Sequence, residues 1–160
     1  MDFASGEVSA TKAWFFLDAG VVALVHNITA RGDGNVVTTF DQCLRNGTVH
    51  ISPAGGGPPQ PVPPGNTTAT IQAGGYVHHN NKLYLYQPTA AASSLPTSSP
   101  PAKLLLRNGP QSGRWSNINS ESGPVDLVTK DVFFAAVDHG APPNLASHET
   151  RVDPLRSSVL

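Results

Sequence analysis

β-branched and aromatic residues along this chain gather in short runs separated by Gly and Pro, a pattern of strands and turns rather than of long helices. Lys12 to Leu17 and Val21 to His26 are two such runs, joined by Asp18-Ala19-Gly20, which has the composition of a hairpin turn. Trp14 and Phe16 alternate with Phe15 on the first run, and Val22 and Leu24 alternate with Val21 and Ala23 on the second. Side chains two apart share a face of a strand, so this hairpin is expected to turn Trp14, Phe16, Val22 and Leu24 toward the core.

Asn35 to Gln42 and Thr48 to Ile51 read as further strands, divided by the turn signal Asn46-Gly47. Gly75 to His79 and Lys82 to Gln87 flank Asn80-Asn81, two residues tolerant of left-handed backbone, and predict a two-residue hairpin. There Tyr84 and Tyr86 share one face and Leu83 and Leu85 the other, as a packed sandwich requires. Lys103 to Arg107 is expected to end at Asn108-Gly109. Val125 to Asp138 reads as one long strand or two with a bulge, with a helix as the alternative; the β-branched Val125, Val128, Val132 and Val137 and the preceding Gly123-Pro124 favour strand. Pro53 to Pro64 and Pro88 to Pro101 are expected to be exposed loops, the first of them mobile, because proline supplies no ladder donor. The fold class expected is all-β, an antiparallel β-sandwich with long Pro/Gly-rich loops.

At 160 residues the chain has the size of one domain. Only 13% of its residues are charged and the formal net charge is −1, so neither nucleic acid nor an anionic membrane is expected as a partner. The opening residues lack a basic region followed by an apolar stretch, so no secretory signal is read there, and Ala13 to Val25 is too short and too interrupted to span a bilayer. The chain reads as soluble. Asn27, Asn46 and Asn66 head N-x-[ST] triplets that would accept glycans in a eukaryotic secretory pathway.

Candidate chemistry is sparse. Cys43 is the single cysteine, so an internal disulfide is impossible and a thiolate-bound metal is not expected; a plain strand or turn residue is the favoured reading over a nucleophile. His78 and His79, as neighbours on a strand, point to opposite faces and cannot grip one ion together, and no metal site or cofactor is expected. His26 and His50 read as lone strand-end residues satisfied by the backbone. Asp138-His139-Gly140 could place a polar pair at a strand end, although a turn-capping Asp beside a half-buried His is the plainer reading. There is no Gly-x-Ser-x-Gly elbow, and Gly55-Gly56-Gly57 runs into prolines that lack the amide donors of a phosphate loop. Most aromatics are expected in the core. Trp115, in the polar setting Ser112-Gly113-Arg114-Trp115-Ser116-Asn117, is the one expected at the surface, and Trp115, Arg114 and Asn117 are the carbohydrate-contact candidates.

Five blocks, in order, resemble the central β-sandwich region of the family 8 polysaccharide lyases, the hyaluronate, chondroitin AC and xanthan lyases. Lys12-Ala13-Trp14-Phe15-Phe16-Leu17-Asp18 with Val21-Val22-Ala23-Leu24 is similar to that family's first hairpin, with Val25 where Gly is usual. Val37-Thr38-Thr39-Phe40-Asp41-Gln42 resembles the strand after it, and Tyr76-Val77-His78-His79-Asn80 resembles its Trp-Val-His-His-Asp turn. Ser112-Gly113-Arg114-Trp115-Ser116-Asn117-Ile118-Asn119 looks like its Gly-x-Trp-x-x-Ile-Asn element, and Phe133-Phe134 with Asp138 to Asn144 like its strand ending in a His-Gly turn.

The resemblance implies part of a supersandwich of galactose-mutarotase-like type, in an extracellular parent enzyme. It also implies cleavage of acidic, uronic-acid-containing polysaccharides by β-elimination, performed in the family by an Asn, His, Tyr and Arg set on a preceding α/α-toroid domain. No residue here matches that set, so no catalytic residue is assigned and the chain alone is expected to be inactive, its partners being the acidic glycan and the missing helical domain. The likeness fades after Asn144: residues 1–145 are expected to form the partial sandwich and 146–160 a divergent tail, with His148 to Pro154 not reading as a strand. Since the family's sandwich holds more strands than this chain, an unpaired apolar edge is expected. A free-standing carbohydrate-binding module and a non-functional lyase remnant are the alternatives.

Overall fold

A computed structural model describes residues 2–5, 8–53, 57–87, 102–140 and 144–154. In chain order the strands are β1 (Asp2–Ser5), β2 (Val8–Leu17), β3 (Gly20–Ala30), β4 (Val37–Leu44), β5 (His50–Ser52), β6 (Gln60–Pro61), β7 (Gly65–Ile71), β8 (Tyr76–His79), β9 (Lys82–Gln87), β10 (Ala102–Gly113), β11 (Val128–Asp138) and β12 (Asn144–Pro154). The helical element among the described residues is a single 3-10 turn, Trp115–Asn117, so no helix there is long and apolar enough to cross a membrane.

Pairing is antiparallel and makes two sheets. The larger has eight strands in the order β1-β2-β3-β12-β9-β8-β5-β6, and the smaller has four in the order β4-β11-β10-β7. Turn chemistry sets the registers. β2 returns into β3 through Asp18-Ala19, with Leu17 opposite Gly20. β8 returns into β9 through Asn80 and Asn81, both left-handed at φ 49° and 59°, with His79 opposite Lys82; two positive-φ residues in succession make the tight turn whose twist suits a hairpin.

The core lies between the small sheet and the β5–β8–β9 part of the large one. Leu104 and Leu106 of β10 and Phe133, Ala135 and Val137 of β11 meet Val77 of β8 and Tyr84 and Tyr86 of β9 there. The spacing of two within each strand is the alternation that a half-buried sheet imposes. Tyr84 and Tyr86 share one face as the sequence predicts, and the structure makes that face the inner one. Fully burying a side chain of this size contributes about 1.5–3 kcal/mol relative to leaving it in water.

The first hairpin departs from expectation. Trp14 is 47% and Phe16 81% exposed, with Phe15 and Leu17 exposed as well, while Val22 and Leu24 are only half-buried. The alternation along β2 is real, but four strands cannot cover eight, and the core draws its large-sheet residues from β5, β8 and β9 rather than from β1 to β3. The hairpin's buried residues lie toward its open end, where Ala10, Val25 and Ile28 pack with Val36.

Other corrections share a cause, namely tertiary pairing that local composition does not announce. Asn108-Gly109 is no turn, because β10 continues to Gly113; buried Asn108 donates from Nδ2 to the Val62 carbonyl at 2.9 Å, which fixes the proline-rich segment against the strand. Within the stretch expected to be a mobile loop, Gln60–Pro61 pairs with His50–Ile51 and the Val62 N–H bonds the Val49 carbonyl at 2.8 Å. A proline is tolerated there because β6 is an edge strand; residues 54–56 and the expected loop 88–101 lie outside the described residues. His148 to Pro154 falls within β12, whose backbone is sandwiched between β3 and β9. The Thr-rich β7 was not expected as a strand either, and it closes one edge of the small sheet. β4 forms the other edge and exposes Val37 and Leu44.

The contrast between two phenylalanines tests this layout. Phe133→Ala should cost about 3–5 kcal/mol by urea unfolding, whereas Phe16→Ala should change stability by no more than about 0.5 kcal/mol. A large loss at position 16 would mean that the first hairpin is covered after all.

Candidate functional site

The three carbohydrate-contact candidates fall in one loop, between β10 and β11. Arg114 is extended, and the chain then winds once through Trp115–Asn117. The Trp115 carbonyl accepts the N–H groups of both Ile118 and Asn119 at 2.9 Å, and Ser116 donates its N–H to the Pro124 carbonyl at 3.1 Å. Asn119 organises the return: its Oδ1 accepts from the N–H of Glu121 and of Ser122, and its Nδ2 donates to the Ser122 hydroxyl at 2.8 Å. Gly123 completes the winding because a Cβ there would stand 2.5 Å from the Asn119 carbonyl oxygen and 2.6 Å from that of Trp115.

The loop is therefore shaped by its own backbone, and its side chains are left to solvent. Trp115 is 58% exposed, Arg114 and Asn117 are exposed on either side, and Ile118, Val125 and Leu127 extend the apolar surface. A flat ring flanked by a cation and an amide offers a stacking face, a partner for an anion and a hydrogen-bonding group.

A second cluster, invisible in the sequence, lies where the two sheets meet. Asp41 and Cys43 of β4 approach His79 of β8 and Lys82 and Tyr84 of β9. A bulge in β4 sets Asp41 opposite Ala135 but Thr39 opposite Ala136, so that Phe40 packs on the core while its neighbour Asp41 accepts a short hydrogen bond from the Tyr84 hydroxyl. Lys82 Nζ stands 3.4 Å from the same carboxylate. Burial pushes Asp41 up, but Tyr84, Lys82 and the Gln42 backbone together hold it below the usual carboxylate value. Burial, with Asp41 beside it, raises Tyr84 far above the ordinary phenol.

Cys43, His79 and Asp41 have the residue types of a thiol nucleophile, its base and an orienting acid, yet their arrangement forbids that chemistry. His79 Nε2 accepts the Asn46 backbone N–H at 3.0 Å, so a neutral ring carries its proton on Nδ1, the atom 3.9 Å from Cys43 Sγ. A nitrogen already protonated cannot take the thiol proton. Burial lowers the proton affinity of His79, and burial followed by the charge of Asp41 raises the Cys43 thiol, away from thiolate. With its ring stacked on Phe133 at 4.1 Å between centroids, His79 is a strut between the sheets.

Asp138 takes the plainer of its two expected roles. Its Oδ1 accepts the Gly140 N–H at 2.9 Å, and its Oδ2 accepts from Asn35 Nδ2 at 3.1 Å and pairs with Lys103 Nζ at 3.0 Å. Burial works against the charge, but these three donors outweigh it and hold the carboxyl below its ordinary value. His139 turns to Thr38, with Nε2 2.9 Å from the hydroxyl. His78 and His79 do leave opposite faces of β8, and His26 sits exposed inside β3 rather than at a strand end. The asparagines of the three glycosylation triplets, Asn27, Asn46 and Asn66, are all exposed.

Residues 1–157 match a family model described as polysaccharide lyase family 8, super-sandwich domain. The chain is 33% identical over 141 residues to chondroitinase-AC of Pedobacter heparinus, an alignment covering 88% of this chain and 18% of that protein. Among solved structures, a chondroitinase AC lyase studied as oligosaccharide complexes superposes with a TM-score of 0.77 at 30% identity, over 96% of this chain and 20% of that one. A Paenibacillus xanthan lyase shares the fold, with a TM-score of 0.72 at 22% identity over 99% of this chain and 15% of that one. The chain thus spans about a fifth of the length of the relatives it matches.

Two carboxylates held below their ordinary value, half-buried Asp41 and buried Asp138, set an acid limb of stability. Asp41 and Asp138 both bind a proton less readily in the folded state than at the ordinary value of 3.8. Their stabilisation is complete above that value and is lost as pH falls through their lower folded values. Urea unfolding from about pH 6 down to about pH 2.5 should therefore show Asp41→Asn and Asp138→Asn less stable than the parent at the upper end, with the difference closing at the lower end. A difference that stayed constant with pH would remove these charges from the account.

Proposed function

Because the chain belongs to polysaccharide lyase family 8, through that family's super-sandwich domain, we propose that it serves as scaffold and substrate-cleft wall of an extracellular lyase that cleaves uronic-acid-containing glycans by β-elimination. Such a reaction needs a neutralised carboxylate, a base for the adjacent proton and an acid for the departing glycosidic oxygen. Three of the side chains here that could exchange protons are engaged elsewhere: Tyr84 with Asp41, His79 with Asn46, and His139 with Thr38. What the sandwich offers a glycan is contact, and proton transfer falls to residues outside it.

The observation that carries this reading is the exposed Trp115, held in a self-bonded loop between exposed Arg114 and Asn117. The indole stacks on a sugar ring, the guanidinium pairs with a uronate carboxylate, and the amide bonds ring hydroxyls. The same exposure favours a second reading, a module that binds acidic polysaccharide without any attached chemistry.

Affinity electrophoresis through gels containing hyaluronan, chondroitin sulfate or xanthan tests the contact. Retardation is expected in at least one gel, and Trp115→Ala should weaken it by about 1 kcal/mol, roughly fivefold. No retardation in any gel would sink both readings. Incubated with the same glycans, this chain alone should generate no ultraviolet absorbance of an unsaturated product; turnover would place the chemistry within the sandwich.

A further inference from the structure

β5 and β8 pair in a register that sets His50 directly opposite His78. Val77 and His79, the neighbours of His78, are wholly buried on the inner side, and Ile51, the neighbour of His50, packs against the same core. Alternation therefore sends His50 and His78 out together from the other face of the large sheet. Their rings face one another with centroids 5.9 Å apart and planes inclined by 29°.

His78 Nε2 is buried and makes no hydrogen bond. A buried ring nitrogen without a partner is uncommon, since its desolvation goes uncompensated, and one resolution is a bound ion. Burial, and after it the neighbouring His50, lowers the affinity of His78 for a proton.

We propose that His50 and His78 form a two-histidine site for a borderline divalent metal ion of the Zn²⁺, Ni²⁺ or Cu²⁺ class. Two imidazole nitrogens each about 2.0–2.1 Å from one ion stand no more than roughly 4 Å apart. Side chains that stand opposite one another on adjacent strands reach that spacing when each imidazole rotates out of the stacked pose to point one nitrogen at a common ion. The donor set is imidazole without carboxylate, which selects these ions over Ca²⁺ and Mg²⁺. Two protein ligands leave the remaining coordination positions to water or to an oxygen of a bound molecule. The site differs from the His78-His79 pairing that the sequence invites, because its ligands come from two strands and share one face.

Copper and zinc probe the site directly. Electron paramagnetic resonance of the intact chain with one equivalent of Cu²⁺ should show coupling to two imidazole nitrogens, a measurement that needs no variant. Zn²⁺ titration should raise the thermal midpoint in a saturable way with one ion per chain. His50→Gln and His78→Gln, each checked for a cooperative transition without metal, should weaken zinc binding roughly tenfold or more. His26→Gln and Cys43→Ser should leave it unchanged. Binding that survives both histidine variants would overturn the proposal, as would binding lost in Cys43→Ser, which would put the ion beside His79 instead.

Discussion

The two sheets of this domain are held together around Phe133. The residue lies on β11, an interior strand of the small sheet, with no exposed surface. Its ring stacks on His79 at 4.1 Å and meets Tyr84 at 5.8 Å, so one side chain joins the small sheet to both strands of the β8–β9 hairpin. These contacts require that hairpin to hold its register, because a slip of one residue would exchange Tyr84 and Tyr86 for Leu83 and Leu85 on the inner face. The Asn80-Asn81 turn prevents the slip: its left-handed pair permits only the pairing that sets His79 opposite Lys82. Local turn chemistry thus specifies the long-range packing.

The polar groups that meet Phe133's neighbours in this core, Tyr84 and Asp41, are paired with one another. The Tyr84 hydroxyl would be costly inside the sandwich without an acceptor, and the bulge in β4 supplies one by turning Asp41 inward. The Tyr84 hydroxyl, and after it Lys82 at the rim, offset the burial of Asp41 and hold its carboxyl below the usual value. The chain Lys82–Asp41–Tyr84 runs from solvent to the core and is anchored at its inner end by Phe133. Half-satisfied, such a network would be worse than an apolar core; complete, it restricts the two sheets to one relative position.

Much of the fold was legible because much of it is local. The β2–β3 and β8–β9 hairpins, the shared face of Tyr84 and Tyr86 and the long strand ending at Asp138 follow from alternation and turn composition, and the exposed Trp115 follows from its polar neighbours. Less local features were not legible. β12 lies between β3 and β9, and its place there is decided by partners more than 60 residues earlier in the chain. Asn108-Gly109 has turn composition but forms strand, since the proline-rich segment supplies a carbonyl to the Asn108 side chain. The Trp14 and Phe16 error is instructive in a different way. Periodicity states which residues share a face; it does not state whether another layer lies opposite that face. The Asp41, Cys43 and His79 cluster was hidden for the same reason: strands far apart in sequence bring its members together, and a lone His or Cys gives no sign of the other.

The division of labour among polar residues is the physical support for the contact role proposed above. A general acid or base must be free to exchange its proton with a substrate, which needs both access and a suitable proton affinity. Here the requirements fall on different residues. Among the inward-facing groups with displaced proton affinities, Asp41, His79 and Tyr84 are tied into struts between the sheets and Asp138 into a turn cap. The groups with access, Arg114, Trp115 and Asn117, comprise a guanidinium that stays charged, an indole that only donates and an amide that does not titrate. A rigid loop carrying those three can align a charged polymer without altering it. For the proposed β-elimination that alignment has value of its own, because the carboxylate must be neutralised and the ring held still before the proton beside it can be removed.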